Sequence, residues 1–463
     1  MSTGKVWLVG AGPGDCGLFT LKGYQVLMQA DVVVYDSLVG DGVLAMVPES
    51  AQRINVGKRA GNHTMPQEEI NQVLLEEARK GLRVVRLKGG DPFLFGRGGE
   101  ELELLTEAGI PYEVVPGVTS CIAVPAYNGI PVTHRDFCSS VHVITGHKKA
   151  GEAYDIDFKA LKETKGTLVF LMGLKALPDI CRGLLEAGMD PAMPAAVLQQ
   201  GTTAGQRRVV ATVADLPEAA QKAGIRTPAI IVVGKVCSLA ERFGWYEKLP
   251  LAGVKAVVTR PRKLISSMAE KLRTLGAEVL ELPAISVEPV KDRQRVLGCL
   301  EWLEEYQWLV FTSPSGVDIF FDEFLRKMQK DVRALGAMKI AALGGGTARA
   351  LRARGIFPGS DAPRPYDGAS RGTGAGAGMR AQRENPAAPC GHRKPGDSGG
   401  AGRARPDLVV EDLATYDTVY HTQDLIDEAG EFARGEISCT VFTSASTVRG
   451  FANACPDLDF TKV

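Results

Sequence analysis

The stretch at residues 84–101 constrains the fold of this chain more than any other. It begins as a short β-type run, continues through Gly89-Gly90-Asp91, and ends in an acidic helical pattern. Five glycines and both signs of charge fall within residues 89–99. Glycine lets bare backbone approach a ligand, and α/β proteins place small-molecule sites where a strand runs through such a turn into a helix. A tight turn without a ligand is the alternative, but the density of glycine and charge favours a site.

The order of strand and helix signals predicts the domain organisation. At 463 residues the chain is too long for one compact core. Strands and helices alternate through the first half, which predicts an α/β fold with a mostly parallel sheet. Some antiparallel character around Val197, Gln206 and Val209 indicates two α/β lobes with a cleft between them. A second α/β pattern then starts, so we predict domains at residues 1–246 and 254–463, joined by a linker at residues 247–253.

Composition excludes several classes of function. Basic and acidic residues are equal at 54 each, so the chain has no global field that would attract nucleic acid or a membrane surface. No run approaches the ~18 apolar residues of a membrane helix, and the first residues have no signal-peptide pattern. The nine cysteines are scattered singly, which argues against a metal centre or a disulfide framework. These features predict a cytoplasmic protein without a metal and without nucleic-acid or membrane partners.

Two further strand ends carry candidate site residues. The loop at residues 10–15 has the spacing G-x-G-x-G, and Pro13 interrupts the turn that would cradle the phosphate of a dinucleotide. Proline also lacks the N–H group that binds phosphate oxygens, so a ligand without phosphate fits better. Asp36 follows the next predicted strand, where it is either a functional acid or a turn and helix-capping residue.

These motifs, taken in order, resemble the family of uroporphyrinogen-III C-methyltransferases. The similarity runs from about residue 5 to about residue 244, and seven motifs in one order are far more specific than any one alone. The motifs lie at residues 10–15, 34–36, 57–59, 86–101, 116–120, 129–135 and 145–147.

The resemblance implies a class III, precorrin-type methyltransferase with two α/β lobes, and we expect a homodimer formed through this domain. In such enzymes S-adenosylmethionine lies in the cleft, and uroporphyrinogen III is methylated to precorrin-1 and then to precorrin-2, toward sirohaem and cobalamin. Asp36 matches the family's proposed proton acceptor and Lys58 its proposed proton donor. The family's cofactor contacts match Pro13, Gly89, Gly90, Asp91, Leu94, Thr119, Ser120, Met172 and Gly201.

The chemistry of the residues agrees with this resemblance. The methyl donor is a sulfonium and needs no phosphate cradle, and methyl transfer to a pyrrole carbon depends largely on positioning. An Asp at a strand end could assist the proton transfer that follows, whereas Lys58 could instead bind a carboxylate. The substrate bears eight carboxylates, and nine basic residues are predicted to give local positive potential beside the site. They are Lys58, Arg59, Arg86, Lys88, Arg97, His134, Arg135, His147 and Lys148.

Motifs in the second half resemble uroporphyrinogen-III synthase, the enzyme that makes the methyltransferase's substrate. The resemblance implies a second two-lobed α/β fold that closes hydroxymethylbilane into a ring, with inversion of the last pyrrole and without a cofactor. It offers backbone amides and the hydroxyl groups of Thr312, Ser313 and Thr443, with Tyr416 as a candidate acid. The motifs lie at residues 258–261, 311–317, 344–348, 416–418 and 442–445.

The second half departs from the synthase family in two places. Residues 368–406 have no counterpart there and contain no Leu, Ile, Val, Phe, Tyr or Trp. Such a segment cannot bury enough apolar surface to offset its ordering entropy, so we expect disorder, caused either by a flexible linker or by a shifted reading frame that is later restored. The chain also stops before the strand, glycine turn and helix that complete the family's first lobe. We therefore expect an incomplete and impaired synthase.

Three other functions are compatible with parts of the sequence. A methyltransferase for another precorrin position would share most motifs, and residues 86–101 with the fused synthase favour the first two methylations. A non-catalytic tetrapyrrole-binding protein would keep the basic loops but tolerate loss of Asp36 and of the turn at residues 89–91. An oxidoreductase with a nicotinamide cofactor would need phosphate-competent glycine spacing, which Pro13 opposes.

Overall fold

The computed structural model describes most of the chain and groups it into two compact units. The larger unit is formed by Met1–Pro283 with Thr422–Val463, and the smaller by Ala284–His421. Within the described residues, no helix is both long and apolar enough to cross a membrane. The domain limits predicted from the resemblance stay a prediction. The described residues are 4–57, 65–146, 156–259, 262–282, 285–336, 338–359, 379–384, 408–420, 428–442, 445–455 and 458.

The first sheet of the larger unit is entirely parallel, with the strand order β3-β2-β4-β1-β5. Its strands are β1 (Lys5–Gly10), β2 (Val32–Tyr35), β3 (Gln52–Asn55), β4 (Arg83–Lys88) and β5 (Tyr112–Val115). The helices around it are α1 (Leu21–Leu27), α2 (Asp41–Leu44), α3 (Gln67–Arg79), α4 (Gly98–Glu107) and α5 (Ser120–Tyr127). Val33 packs with Leu27 on one face and Val34 with Leu74 on the other. A parallel sheet covered on both faces has continuously apolar strands, as at residues 32–35.

The first helix is shorter than the sequence predicts. The apolar pattern predicts one helix over residues 18–29, but the structure has a 3-10 turn at Cys16–Leu18 and then α1. Thr20 separates them because its backbone is extended, and its hydroxyl accepts a hydrogen bond from Gly23 N–H at 3.0 Å. This N-cap satisfies a donor of the first helical turn, and so the helix begins after Thr20.

The second sheet of the larger unit is mixed, with the strand order β6-β7-β10-β8-β9. Its strands are β6 (Val141–Thr145), β7 (Thr167–Leu171), β8 (Pro194–Gln199), β9 (Arg207–Thr212) and β10 (Ala229–Val233), and its helices are α6 (Phe158–Glu163), α7 (Leu177–Glu186), α8 (Leu216–Lys222) and α9 (Ala240–Phe243). Val197 and Val209 are partners in the antiparallel pair β8–β9, which confirms the predicted antiparallel character. Because β10 is antiparallel to both β7 and β8, the carboxyl ends of β7 and β8 lie at the same edge.

A third, three-stranded sheet completes the larger unit. It is parallel, with the order β12-β11-β19, and Val258 and Val279 form its core with Ala269 of the helix that connects the first two strands. Its strands are β11 (Lys255–Val258), β12 (Glu278–Glu281) and β19 (Cys439–Val441), and its helices are α10 (Arg262–Thr274), α14 (Glu428–Ala433) and α15 (Ala445–Ala454).

The smaller unit has a sheet of order β15-β14-β16-β17 and an antiparallel pair β13–β18. Its strands are β13 (Ile285–Pro289), β14 (Trp308–Phe311), β15 (Lys339–Ala342), β16 (Met379–Glu384), β17 (Leu408–Leu413) and β18 (Tyr416–Tyr420), and its helices are α11 (Gln294–Glu301), α12 (Pro314–Ile319) and α13 (Gly345–Arg352). Within the segment 368–406, the described residues are those of β16, which pairs antiparallel with β14 and β17. The rest of that segment lies outside the described residues.

Candidate active site

The loops that follow β1, β4 and β5 meet through their backbones. Gly12 N–H donates to the carbonyl oxygen of Gly90 at 3.2 Å, and Gly90 N–H donates to that of Gly12 at 2.7 Å. A side chain at Gly10 would overlap the backbone of Gly117, and one at Gly117 would overlap the Gly90 carbonyl. Glycine is therefore required at these positions because the loops touch each other.

The three predicted contacts at residues 89–91 have different structural roles. A Cβ atom at Gly89 would lie 2.7 Å from Leu38 Cβ, so this glycine allows close packing against the loop that follows β2. Gly90 has φ +68°, and its Cβ would meet no heavy atom nearer than 3.9 Å. Asp91 Oδ2 accepts a hydrogen bond from Gly117 N–H at 3.0 Å and so fixes two loops relative to each other. Of the two glycines, only Gly90 has room for a Cβ atom, at ordinary van der Waals distance from the start of α5.

Asp36 lies immediately after β2 with both carboxylate oxygens oriented. Oδ1 accepts a hydrogen bond from Leu38 N–H at 3.0 Å, and Oδ2 accepts one from Arg86 Nη2 at 3.0 Å. The Asp36 side chain is 25% exposed, so it remains accessible to a ligand. Lys58, the predicted proton donor, lies outside the described residues.

A network of buried charged side chains contacts Asp36 through Arg86. Arg86 Nε and Lys88 Nζ both donate to Glu101 Oε1, at 3.2 and 2.6 Å, from neighbouring positions on β4. All three side chains are buried, and that of Glu101 completely. Burial lowers the pKa of Lys88, the charge of Arg86 lowers it further, and Glu101 opposes both effects. Buried charges persist when they are paired, so Glu101 is what allows two basic side chains inside the fold.

The predicted basic cluster beside the site is wrong in part. Arg86 and Lys88 are buried and paired with Glu101, so they cannot offer charge to a substrate. Arg97 is exposed, although its Nε donates to Glu100 Oε1 at 2.9 Å. His134 is partly exposed and Arg135 exposed. The remaining members, Lys58, Arg59, His147 and Lys148, lie outside the described residues.

The second sheet contributes the turns that follow β7 and β8. Met172, after β7, has φ 55° and is 54% exposed. A side chain at Gly201, after β8, would overlap Val124 on α5. Thr202 Oγ1 accepts a hydrogen bond from Asp15 N–H at 3.1 Å. The turn after β8 therefore rests on both α5 and the loop that follows β1.

The other predicted cofactor contacts border the same region. Thr119 is the N-cap of α5 and Ser120 its first residue. A Cβ at Gly90 would lie 3.9 Å from Thr119 Cα and from Ser120 N, so both residues lie next to the Gly90 turn. Leu94 packs against the core of the second sheet. Pro13 lies within the loop that follows β1, and the roles predicted for all these residues stay predictions.

Strained backbone is concentrated in these loops. A positive φ is uncommon outside glycine and costs of order 1–3 kcal/mol, and such residues cluster at functional sites. Of seven such residues in the described chain, five lie in the loops of the site. The five are Phe95, Arg97, Met172, Gln200 and Thr202, and the other two are Lys165 and Gln329.

Sequence reasoning assigned no role to two side chains that support the site. Glu101 reads only as an acid in the first turn of a helix, since its partners precede it by more than ten residues. Tyr127 OH donates to Asp15 Oδ2 at 2.7 Å. Burial raises the pKa of Tyr127, and the hydrogen bond to Asp15 raises it further, so the phenol remains a donor. No local pattern marks either contact.

Motifs of the second half also meet in the smaller unit. The Ser313 and Tyr416 hydroxyl oxygens are 3.1 Å apart, and Tyr416 is buried. Ser313 also caps α12 by accepting a hydrogen bond from a backbone N–H of its first turn. A Cβ at Gly346 would lie 3.4 Å from Pro314 Cγ, so the glycine-rich first turn of α13 packs on the start of α12. Thr443 lies outside the described residues.

These two sites and folds define a tetrapyrrole methylase region followed by a uroporphyrinogen-III synthase region. Residues 5–217 match the family model of tetrapyrrole (corrin/porphyrin) methylases, and residues 266–463 match that of uroporphyrinogen-III synthase HemD. The chain is 46% identical over 459 residues to the porphyrin biosynthesis protein HemD of Ruminiclostridium josui, across 99% of this chain and 90% of that protein. The chain belongs to the family of that protein. These matches confirm the predicted resemblances of the two halves to the methyltransferase and synthase families. They also confirm that the first half is a methyltransferase.

Other relatives match about half of this chain. A siroheme synthase of Escherichia coli is 54% identical over 243 residues, which are 52% of this chain and 52% of that protein, so this chain spans about half its length. A crystal structure of uroporphyrin-III C-methyl transferase from Thermus thermophilus, complexed with S-adenyl homocysteine, is 42% identical with a TM-score of 0.44. It covers 51% of this chain and 99% of that chain. Cobalt precorrin-4 methyltransferase CbiF is 32% identical with a TM-score of 0.46, over 50% and 95% of the two chains.

Proposed function

We propose that the methylase region transfers two methyl groups from S-adenosylmethionine to uroporphyrinogen III, giving precorrin-1 and then precorrin-2. The observation that carries this proposal is the convergence of the loops after β1, β4 and β5 at Gly90, with the oriented and partly exposed carboxylate of Asp36 in the neighbouring loop. The match to tetrapyrrole methylases and the similarity to siroheme synthases support the substrate class.

The loops fit a methyl donor that has no phosphate. Pro13 removes an N–H from the loop after β1, which would weaken a phosphate cradle but does not affect a sulfonium ligand. Thr119 and Ser120 lie next to Gly90, and the exposed side chain of Met172 offers apolar contact at the edge of the second sheet. S-adenosylmethionine supplies a methyl carbon whose bond to sulfur breaks while the electron pair stays on sulfur.

Asp36 accepts the proton that must leave the substrate. A new carbon–carbon bond at a pyrrole carbon leaves positive charge on the ring system, and loss of a proton neutralises it. The carboxylate has acceptor capacity beyond its two hydrogen bonds, and Leu38 N–H and Arg86 hold its orientation. A positioned base of this kind contributes about 10²- to 10⁴-fold to a rate. Lys58 is the proposed proton donor.

The exposed basic side chains bind the carboxylates of the substrate. Arg97 and Arg135 are the exposed arginines that the sequence predicted for this role. Because a tetrapyrrole substrate is polyanionic, a few local cations suffice on a chain of zero net charge. We further propose a cytoplasmic homodimer, formed through the methylase region, with no nucleic-acid partner.

The decisive experiment uses the purified full chain with both ligands. Binding of S-adenosylmethionine is measured by calorimetry, and formation of precorrin-2 is followed by the absorbance of its oxidised form. We expect binding and product. Binding without product would favour another precorrin position, and a failure to bind would contradict the methyltransferase proposal.

For the synthase region we propose closure of hydroxymethylbilane to uroporphyrinogen III, with Tyr416 as the acid. The contact between Tyr416 and Ser313 supports this assignment, since it orients the phenol at the start of α12. Ring closure without inversion gives a different isomer, so chromatography of the products separates catalysed from spontaneous closure. We expect only weak enrichment of the inverted isomer, because residues 368–406 are predicted to have no counterpart in the synthase family.

A further inference from the structure

The third sheet of the larger unit, which lies in the predicted synthase domain, contacts two loops of the methylase site. Strand β11 begins at Lys255 and strand β12 at Glu278. Both residues point charged side chains toward the methylase region, and all the contacts lie within one compact unit. Because these contacts are charged and reach loops of the methylase site, they indicate a role in that site as well as in attaching the sheet.

Lys255 is a buried cation held by three carboxylates. Its Nζ lies 2.7 Å from Asp41 Oδ2, 3.0 Å from Glu431 Oε1 and 3.5 Å from Glu278 Oε1. Burial alone would lower the pKa of Lys255, but the three negative charges raise it. The ammonium group is therefore a fixed positive charge at the centre of the contact.

Asp41 connects this charge to the loop that carries Asp36. Asp41 is the first residue of α2, and only four residues separate it from Asp36. A Cβ at Gly40, the residue between the loop and the helix, would lie 2.8 Å from the carbonyl oxygen of Gly14. The loop is thus packed between the turn after β1 and the ion pair with Lys255. A shift of Asp41 would be transmitted to Asp36.

Glu278 connects the third sheet to the turn that carries Gly201. Its Oε2 accepts a hydrogen bond from Ala204 N–H at 2.8 Å. In the same turn, Thr202 Oγ1 accepts a hydrogen bond from Asp15 N–H. This turn is therefore held from one side by the methylase loop and from the other by the synthase domain.

We propose that Lys255 and Glu278 are positioning residues for methyl transfer. Lys255 orients the loop of Asp36 through Asp41, and Glu278 orients the turn of Gly201 through Ala204. This inference rests on the proposed function, because it assigns those two loops to the base and to the methyl donor. The third sheet, which lies in the predicted synthase domain, thus forms part of the framework of the methylase site.

Attachment of the third sheet does not depend on these ion pairs alone. Tyr246 OH donates to the carbonyl oxygen of Gly276 at 3.2 Å, and Leu251 N–H donates to that of Leu275 at 2.9 Å. A Cβ at Gly276 would also lie 2.7 Å from Leu249 Cβ. These contacts hold residues 246–251 against the turn between α10 and β12, so variants of Lys255 and Glu278 can keep the sheet attached.

The test compares four variants of the full chain with a matched control. Lys255→Met removes the charge and keeps the length of the side chain, and Lys255→Arg restores the charge. Glu278→Ala removes the acceptor for Ala204, and Glu278→Gln restores an acceptor oxygen. Lys271→Met is the control, since Lys271 is an exposed cation on α10 outside the cluster. Each protein is measured for its melting temperature, for calorimetric affinity for S-adenosylmethionine, and for kcat and KM.

We expect the two connections to affect different constants. Lys255→Met should lower kcat about 10- to 100-fold, because a small displacement of a reacting group has effects of that size. Glu278→Ala should raise KM and the dissociation constant for S-adenosylmethionine by about tenfold or more. Lys255→Arg and Glu278→Gln should each recover most of the loss, and Lys271→Met should match the wild type.

A merely structural role would give another result. Lower melting temperatures with unchanged kcat, KM and affinity would contradict the proposal while leaving the methyltransferase function intact. If Lys255→Met does not fold, the comparison of Glu278→Ala with Glu278→Gln tests the proposal. If the wild type binds S-adenosylmethionine but does not methylate uroporphyrinogen III, the affinity of Glu278→Ala still tests the connection to the turn. A wild type without affinity for S-adenosylmethionine would overturn both proposals.

Discussion

The two candidate sites hold their polar side chains in different ways. In the methylase region, Asp36 is oriented by Arg86, which is itself held by the buried Glu101. In the described part of the synthase region, Tyr416 is held by a neutral hydroxyl group, that of Ser313. Buried ion pairs are costly to break and fix a geometry strongly, whereas a neutral hydrogen bond contributes modestly. The comparison indicates that the methylase site depends on fixed charge and the synthase site on capping and packing.

The sharpest test of the charged site is Asp36→Asn. Asparagine keeps an oxygen for Leu38 N–H or Arg86 but cannot accept a proton as a carboxylate does. We expect product formation to fall about 10²- to 10⁴-fold, the range for a positioned general base, with little change in affinity for S-adenosylmethionine. Single-turnover formation of precorrin-1 measures this. Asp31→Asn is the control, because Asp31 pairs with Arg83 on the surface. Full activity of the Asp36→Asn variant would show that Asp36 is not the base.

Two adjacent glutamates on α4 test whether the stabilisation from an ion pair depends on its burial. Glu101 is completely buried between Arg86 and Lys88, while the Glu100 side chain is 49% exposed beside Arg97. Glu101→Gln should destabilise the first sheet by about 3–5 kcal/mol, because the buried Lys88 loses its carboxylate partner and Arg86 keeps only that of Asp36. Glu100→Gln should cost about 0–1 kcal/mol, as exposed ion pairs do.

Hydrogen exchange of the β1 and β4 amides reports the opening free energy of that sheet separately from the rest of the chain. Equal effects of the two substitutions would contradict the assigned network. A destabilised Glu101→Gln variant should also lose activity, since Arg86, which orients Asp36, would lose its buried carboxylate partner.

Local patterns predicted much of this fold and part of the site. A strand followed by a glycine turn is a pattern of only a few residues and can be recognised in the sequence. The loops at residues 10–15 and 84–101 could therefore be expected to meet. The separation of α1 from the turn before it was missed, although Thr20 is a local signal, because the apolar pattern continues across it.

The charged contacts could not be predicted because their partners are distant in sequence. Lys88 was predicted to give positive potential beside the site, but it is buried and paired with Glu101 on the helix that follows. Arg86 and Asp36 are 50 residues apart, and Lys255 and Asp41 are 214 apart. A sequence pattern shows which residues are charged, but tertiary packing decides which of them reach a substrate.

The neutral site should respond more weakly to substitution than the buried ion network. Tyr416→Phe removes one hydrogen bond to Ser313 and keeps the ring in place, so we expect a loss of about 0.5–1.5 kcal/mol in the opening free energy of the smaller unit. Hydrogen exchange of the α12 amides measures it. Tyr306→Phe, which removes another tyrosine hydroxyl of the same unit from its partner Glu411, is a matched control for the loss of a phenol. If Tyr416 is the acid of ring closure, only its substitution should abolish enrichment of the inverted isomer.

The smallest effect is expected from a charge at the surface of the first sheet. Glu113 on β5 bridges Lys22 and Lys5, and hydrogen bonds to these two side chains lower its pKa to about 2. Because the folded pKa lies below the ordinary value of 4.5, this group stabilises the fold above pH 4.5 and loses that contribution as the pH falls toward 2.

The side chains of this bridge are 31–58% exposed, so solvent screening should limit the contribution to less than about 1 kcal/mol. Glu113→Gln should therefore lower the opening free energy of the sheet slightly at pH 7 and not at all near pH 2, and 1 M salt should remove the difference. Hydrogen exchange of the β5 amides at the two pH values measures this. If Glu113→Gln lowered the opening free energy as much as Glu101→Gln does, the contribution of an ion pair would not depend on its burial. The proposed difference between the buried network and the surface pairs would then be wrong.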